Sequence, residues 1–198
     1  MTEQDKHFDS RLLGIDLICQ VFCLATKKTL EKSTNLAITY SKTLQRIPRV
    51  SLKPELGCFV QFLGDYSGLL VINFTAAAAV DLYRNYMLTM GMPESGLARE
   101  ATSGEVVDTM GEITNQIMGR ATRMAESKYD LSASFGQPKA LHLSSAITLA
   151  LESANAGITL SPDSTDRCDN RRIVFKVNSN RFHIELAMER TEFIVTSF

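Results

Sequence analysis

The chain has 198 residues, 44% hydrophobic and 22% charged, enough apolar material for a core that needs no disulfide or metal staple. With 21 basic and 22 acidic residues the net charge is −1, so no excess of positive charge draws the chain to nucleic acid or to an anionic membrane. No apolar signal core opens the sequence and no run approaches the roughly 18 apolar residues that span a bilayer, so the cytoplasm is the expected compartment.

Leu13, Leu17, Val21, Leu24 and Ala25 recur at helical spacing and predict a first helix over 8–32, its face extended by Phe22 and Leu30. Asp9 or Ser10 stands where a cap belongs, and Lys27, Lys28 and Lys32 lie near the end, where cations complement the helix dipole. Cys19 and Cys23 fall one turn apart on this helix. With Cys58, Cys168 and the scattered His7, His142 and His183 they make no metal-ligand spacing, so small buried thiols in a reducing compartment are expected.

A strand-rich block follows. Residues 37–40 and 46–52 are weak strand candidates, and 58–63 and 69–74 are stronger, being short, apolar and β-rich. The stronger pair flanks Gly64-Asp65-Tyr66-Ser67-Gly68, which has the composition of a hairpin turn. Pro48 and Pro54 mark edges or breaks. Thr75 then caps a second helix over 76–90, closed by Gly91 and Pro93. A third helix is predicted over 103–128.

Beyond it, 130–135 reads as a strand and 146–151 as either strand or short helix. Residues 173–177 and 182–188 flank Asn178-Ser179-Asn180 as a hairpin, and 192–196 is a possible last strand. The polar segment 161–172 reads as an exposed loop. The order helix, strands, helix, helix, strands predicts an α+β fold: an antiparallel sheet with long helices gathered on one face, in two similar halves. One domain is expected over 1–198.

The third helix carries the most information. At about 100° per residue, Val106, Met110, Ile113, Ile117 and Ala121 cluster on one side. Asp108, Glu112, Asn115 and Gly119 cluster roughly opposite, so a carboxylate and a carboxamide stand one turn apart beside a glycine. Most such polar faces are merely solvated. Gly119 would let a ligand or another backbone come close, and Gly111, to one side, would serve packing. Arg120, Arg123 and Lys128 are read as complementing the helix dipole in preference to binding phosphate. No glycine-rich phosphate loop and no G-x-S-x-G elbow occurs. Asp163, Asp166 and Asp169 do not have the spacing of an EF-hand, so a solvated loop is expected there.

The pattern Asp108-x3-Glu112-x2-Asn115, followed by Pro138, resembles the signature of the CheC/CheX/FliY phosphatases of bacterial chemotaxis. The segment from Gly57 to Phe74 resembles that family's hairpin before its middle helices. The likeness covers about residues 8 to 190. Residues 45–52 and 185–193 also resemble an uncharacterised bacterial family within the same superfamily. The resemblance implies a CheC-like fold and a protein that hydrolyses the aspartyl phosphate of a CheY-type response regulator, with Glu112 and Asn115 as catalytic residues. It implies that Glu112 engages the regulator's lysine, that Asp108 and Gly119 lie in the partner contact, and that Pro138 is structural.

No metal or cofactor of the chain's own is implied, since the magnesium ion belongs to the regulator. Members with two sites repeat the motif on the first helix. Here Asp16 is followed by Gln20 and Cys23, so one site is expected, the CheX-like condition, and with it a homodimer. Two other readings stay open: a non-catalytic interaction module related to flagellar switch proteins, and a small-molecule sensor using a cleft beside the long helices.

Overall fold

The computed structural model describes residues 14–149 and 168–193. Among these residues lie three α-helices, α1 (Gly14–Thr34), α2 (Ala76–Thr89) and α3 (Gly104–Tyr129). The strands before α2 are β1 (Ile38–Tyr40), β2 (Gln45–Arg46), β3 (Ser51–Leu52), β4 (Leu56–Gly64) and β5 (Gly68–Phe74). Those after α3 are β6 (Ala133–Phe135), β7 (Lys139–His142), β8 (Ile147–Thr148), β9 (Cys168–Val177) and β10 (Asn180–Glu189).

The main sheet is antiparallel and runs β1-β9-β10-β5-β4-β6, with β2 also on β9 and β7 also on β4. Its centre is the pair β5–β10, in which Ile72 faces Ile184. Either side of that pair the pattern repeats. The strand after α1 pairs with the second hairpin, and the strands after α3 pair with the first. The two similar halves therefore exchange their short strands across the centre.

One sheet face is apolar apart from Arg171, which pairs with Asp16 of α1. Cys58, Val60 and Phe62 of β4, Ile72 of β5, Phe175 of β9 and Ile184 of β10 point toward the three helices in one core. Among the described residues the other face is covered by the two-stranded sheet β3–β8, over a small cluster around Leu52, Val71 and Ala187. α1 packs against α2, α3, β1 and β9 and is buried around most of its girth, which is why Leu17, Val21, Cys23 and Thr26 are all enclosed. The three described helices lie on one side of the sheet, as expected.

Local chemistry explains the element ends. Thr75 Oγ1 accepts from the N–H of Ala78 and caps α2. Gly91, at φ +84°, closes it: its N–H donates to the Leu88 carbonyl and that of Met92 to the Met87 carbonyl, both at 3.0 Å. That double bond is the Schellman ending, whose left-handed residue favours glycine. In the hairpin β9–β10, Asn178 takes the left-handed conformation at φ 51°.

Several expectations need correction. Residues 46–52 are not one strand. Pro48 has no N–H to continue a ladder, and the chain leaves the main sheet after β2 to form β3 in the small one. Cys168–Arg172 is not loop but the first half of β9. Its polar residues read as loop because their partners are distant: Arg171 Nε donates to Asp16 Oδ1 at 2.6 Å, and Arg172 Nε to Glu185 Oε1 at 2.9 Å. The strand expected over 130–135 is confined to 133–135; of 146–151, read as strand or short helix, Ile147–Thr148 is strand, and 150–151 lie outside the described residues. Strand β7 was not anticipated. Glu192 and Phe193 are not in a strand. The caps Asp9 and Ser10, the remainder of 192–196, and Asp163 and Asp166 lie outside the described residues.

Candidate functional site

α3 has the two faces its spacing predicts. Val106, Met110, Ile113, Ile117 and Ala121 are all at 0% exposure. Thr109 and Thr114, also buried, return their hydroxyls to the carbonyls of Glu105 and Met110 at 2.7 Å, so they bring no unsatisfied donor into the core. Asp108, Glu112 and Asn115 are exposed and Gly119 is half-buried. The structure thus brings the four residues onto one outward stripe of a helix whose other side is locked in the core.

The stripe is flanked on one side by the sheet edge. A side chain at Gly111 would meet Ala140 Cβ at 3.6 Å, and one at Gly119 would meet the Phe135 ring at 3.9 Å. The edge therefore runs alongside α3 in the opposite direction, and its 136–138 segment falls level with Asn115. That segment is a bulge. Phe62 pairs with Phe135 and Phe59 with Lys139, so three steps along β4 face four along the edge. The extra residue turns both Phe135 and Ala140 toward the helices although they are an odd number of positions apart. Pro138, half-buried, sits in this bulge, where a missing N–H costs no ladder bond.

α2 flanks the stripe on the other side. Tyr83 Oη donates to Glu105 Oε2 at 2.7 Å and accepts from the Ala98 N–H at 3.3 Å, tying α2 to the start of α3. Burial, and then the hydrogen bond to the Glu105 carboxylate, push the Tyr83 hydroxyl above its usual range. Further along, Gln116 Nε2 donates to Glu112 Oε1 at 3.1 Å and to Tyr86 Oη at 3.3 Å. Glu112 is thus not a free surface carboxylate. Gln116 and Tyr86 escaped the sequence reading, although the i, i+4 relation of Glu112 and Gln116 was visible.

Gly111 and Gly119 both have room for a methyl group, since their nearest neighbours stand at ordinary contact distance. Gly119 is not required by internal packing. Arg120 departs from its expected role: its Nε donates to Thr29 Oγ1 of α1 at 2.9 Å and ties the two long helices together. On α1 the positions that would carry a second motif are occupied otherwise. Asp16 is bound to Arg171, and Cys23 is buried. Burial pushes the Cys23 and Cys58 thiols up to about 12, and the buried-thiol reading holds for them and for Cys19, whereas Cys168 at the start of β9 is only half-buried.

A cleft of about 440 Å³ opens at the start of α2, lined among others by Glu55, Asp81, Arg99, Glu100 and His142. Asp108, Glu112 and Asn115 do not line it. Glu55 Oε2 accepts from the Ala76 N–H, and Asp81 accepts from Asn180 Nδ2 at 2.7 Å, so two of its carboxylates are already engaged. Among the described residues no three His, Cys, Asp or Glu side chains gather to hold a metal ion. No helix among them is long and apolar enough to cross a membrane.

Compared with known families, residues 9–197 match one described as "Protein of unknown function (DUF3334)". The chain belongs to this family. No curated protein matches the sequence. Solved structures do share its fold. The chemotaxis protein CheX of Desulfovibrio desulfuricans superposes with a TM-score of 0.67 at 18% identity, over 87% of this chain and 99% of that one. A CheC-like superfamily protein of Shewanella sp. PV-4 gives 0.65 at 17% identity, over 87% and 97%. The CheX of a CheX-CheY-BeF3-Mg2+ complex from Borrelia burgdorferi gives 0.57 at 11%, over 87% and 97%. The chain thus has the CheC/CheX-type fold, with an antiparallel sheet and its long helices on one face.

Proposed function

We propose that this protein removes the phosphoryl group from the aspartyl phosphate of a CheY-type response regulator in chemotaxis-type signalling. The observation that carries the reading is the stripe on α3: Glu112 and Asn115 exposed, one turn apart, on a helix whose opposite face is wholly buried. A helix held this way can be pressed into another protein's active site without losing its own packing. The Borrelia structure supports the partner class, since that CheX is named in complex with CheY.

The chemistry needs little from the chain beyond placement. Water attacks the phosphorus in line, the bond to the aspartyl oxygen breaks, and inorganic phosphate leaves. Asn115 offers a donor and an acceptor on one short side chain, which suits it to hold that water on the attack line. Glu112 engages the regulator's lysine and docks the helix. Asp108 and Gly119 lie at the two ends of the contact. The magnesium ion is the regulator's, and the chain contributes no cofactor. A homodimer of cytoplasmic protomers belongs to the same proposal and is read from sedimentation of the purified protein.

The test is phosphate release from phosphorylated CheY-type regulators with and without the protein. Asn115→Ala should abolish the acceleration, a loss of at least about 100-fold for a residue that positions the nucleophile. Its far-UV spectrum should stay unchanged and its melting temperature should not fall, because the side chain is exposed and alanine is the better helix former. Full activity in that variant refutes the mechanism. Tight binding of a regulator with no acceleration by the wild type would favour the non-catalytic interaction module.

A further inference from the structure

The motif residues are not self-supporting. Glu112 is exposed on the α3 surface, where a glutamate ordinarily samples several rotamers. Here its Oε1 accepts from Gln116 Nε2 at 3.1 Å, and the same nitrogen reaches Tyr86 Oη at 3.3 Å. The carboxylate fixes the amide's orientation. A carboxylate only accepts, so the nitrogen end of Gln116 must face it, and the second proton of that nitrogen is left for the tyrosine. Tyr86 is half-buried and packed against the main core from α2, and α2 is itself pinned to the start of α3 through Tyr83 and Glu105.

We infer that Gln116 is a positioning residue: it holds the Glu112 carboxylate in its docking rotamer, and Tyr86 anchors it to α2. The inference rests on the reading of Glu112 as the group that engages the regulator. A carboxylate already aimed loses less freedom on docking, so the link acts on association and not on the hydrolytic step. It also makes the aim of Glu112 depend on how α2 lies against α3.

Two near-isosteric variants remove one partner each, Gln116→Met and Tyr86→Phe. With phosphorylated regulator as substrate, KM should rise about five-fold in the first and about two-fold in the second, the loss expected of a partly exposed charge-assisted hydrogen bond, with kcat unchanged. Asn115→Ala, in contrast, lowers kcat. In a Glu112→Ala background Gln116→Met should have no further effect. An unchanged KM, or an equal rise in both backgrounds, overturns the inference.

If the wild type accelerates no regulator's dephosphorylation, it is the phosphatase reading that fails. The link itself is then judged on the free protein, from the 13C resonance of the Glu112 carboxyl carbon. Movement of that resonance in both variants supports it, and a resonance that stays in place in Gln116→Met overturns it.

Discussion

Acidification should expose the contribution of one buried carboxylate. Glu185, on β10, is fully buried on the sheet face away from the helices. Its Oε1 accepts from Lys53 Nζ at 2.9 Å and lies 2.8 Å from Arg172 Nη2, and its Oε2 accepts from the Ser51 N–H at 2.8 Å. Burial alone would raise its pKa. The hydrogen bonds from His183, Lys53 and the Ser51 backbone, with the Lys53 charge, outweigh that and hold it at about 2, against an ordinary 4.5.

A carboxyl that titrates lower when folded stabilises the fold in its ionised form. That stabilisation is complete above the unfolded value of about 4.5 and is lost as pH falls through the folded value of about 2. At about 1.4 kcal/mol per pH unit the difference amounts to roughly 3 kcal/mol. Urea unfolding followed by circular dichroism, at several pH values from about 7 down to about 2, measures it. Glu185→Gln should be less stable than wild type by about 3 kcal/mol at neutral pH, because it leaves Lys53 and Arg172 facing an uncharged group. The deficit should shrink as pH falls. Two stability curves that stay parallel down to the lowest pH would refute the account.

Two further outcomes are expected. Gly119→Ala meets no obstruction within the chain, so it should raise stability by up to about 1 kcal/mol in thermal or urea unfolding. Where the regulator's backbone approaches this glycine, the same variant should weaken phosphate release, and a variant both more stable and fully active would remove Gly119 from the contact. Cys23 and Cys58, held at about 12 by burial, should resist a thiol-reactive dye at neutral pH until the protein is unfolded, and rapid labelling of either in the native protein would contradict their burial.

The parts legible in the sequence are those whose signal is local. The period of α3 placed Val106, Met110, Ile113, Ile117 and Ala121 inward and Asp108, Glu112 and Asn115 outward, and all eight stand so. The hairpins β4–β5 and β9–β10 join neighbouring apolar runs across short turns, so adjacency alone announces them. The α2 caps were visible as Thr75 and Gly91 because each answers a backbone requirement that few residues meet.

What the sequence did not disclose depends on partners far along the chain. Cys168–Arg172 looked like loop because polar residues carry no apolar alternation. Only the fold shows Arg171 closing on Asp16 of α1 and Arg172 on Glu185 of β10. β7 was missed because it is a mostly exposed edge strand, and its partner Leu56–Phe59 precedes it by some eighty residues. Pro138 gained a physical place only when the register across β4 revealed the extra residue at 136–138. The link Tyr86–Gln116–Glu112 likewise needed α2 to be set against α3. Periodicity fixes which side of a helix faces out, because that follows from backbone geometry within the helix. What stands beside that face is decided by the packing of elements distant in sequence, and here that packing distinguishes an aimed carboxylate from a solvated one.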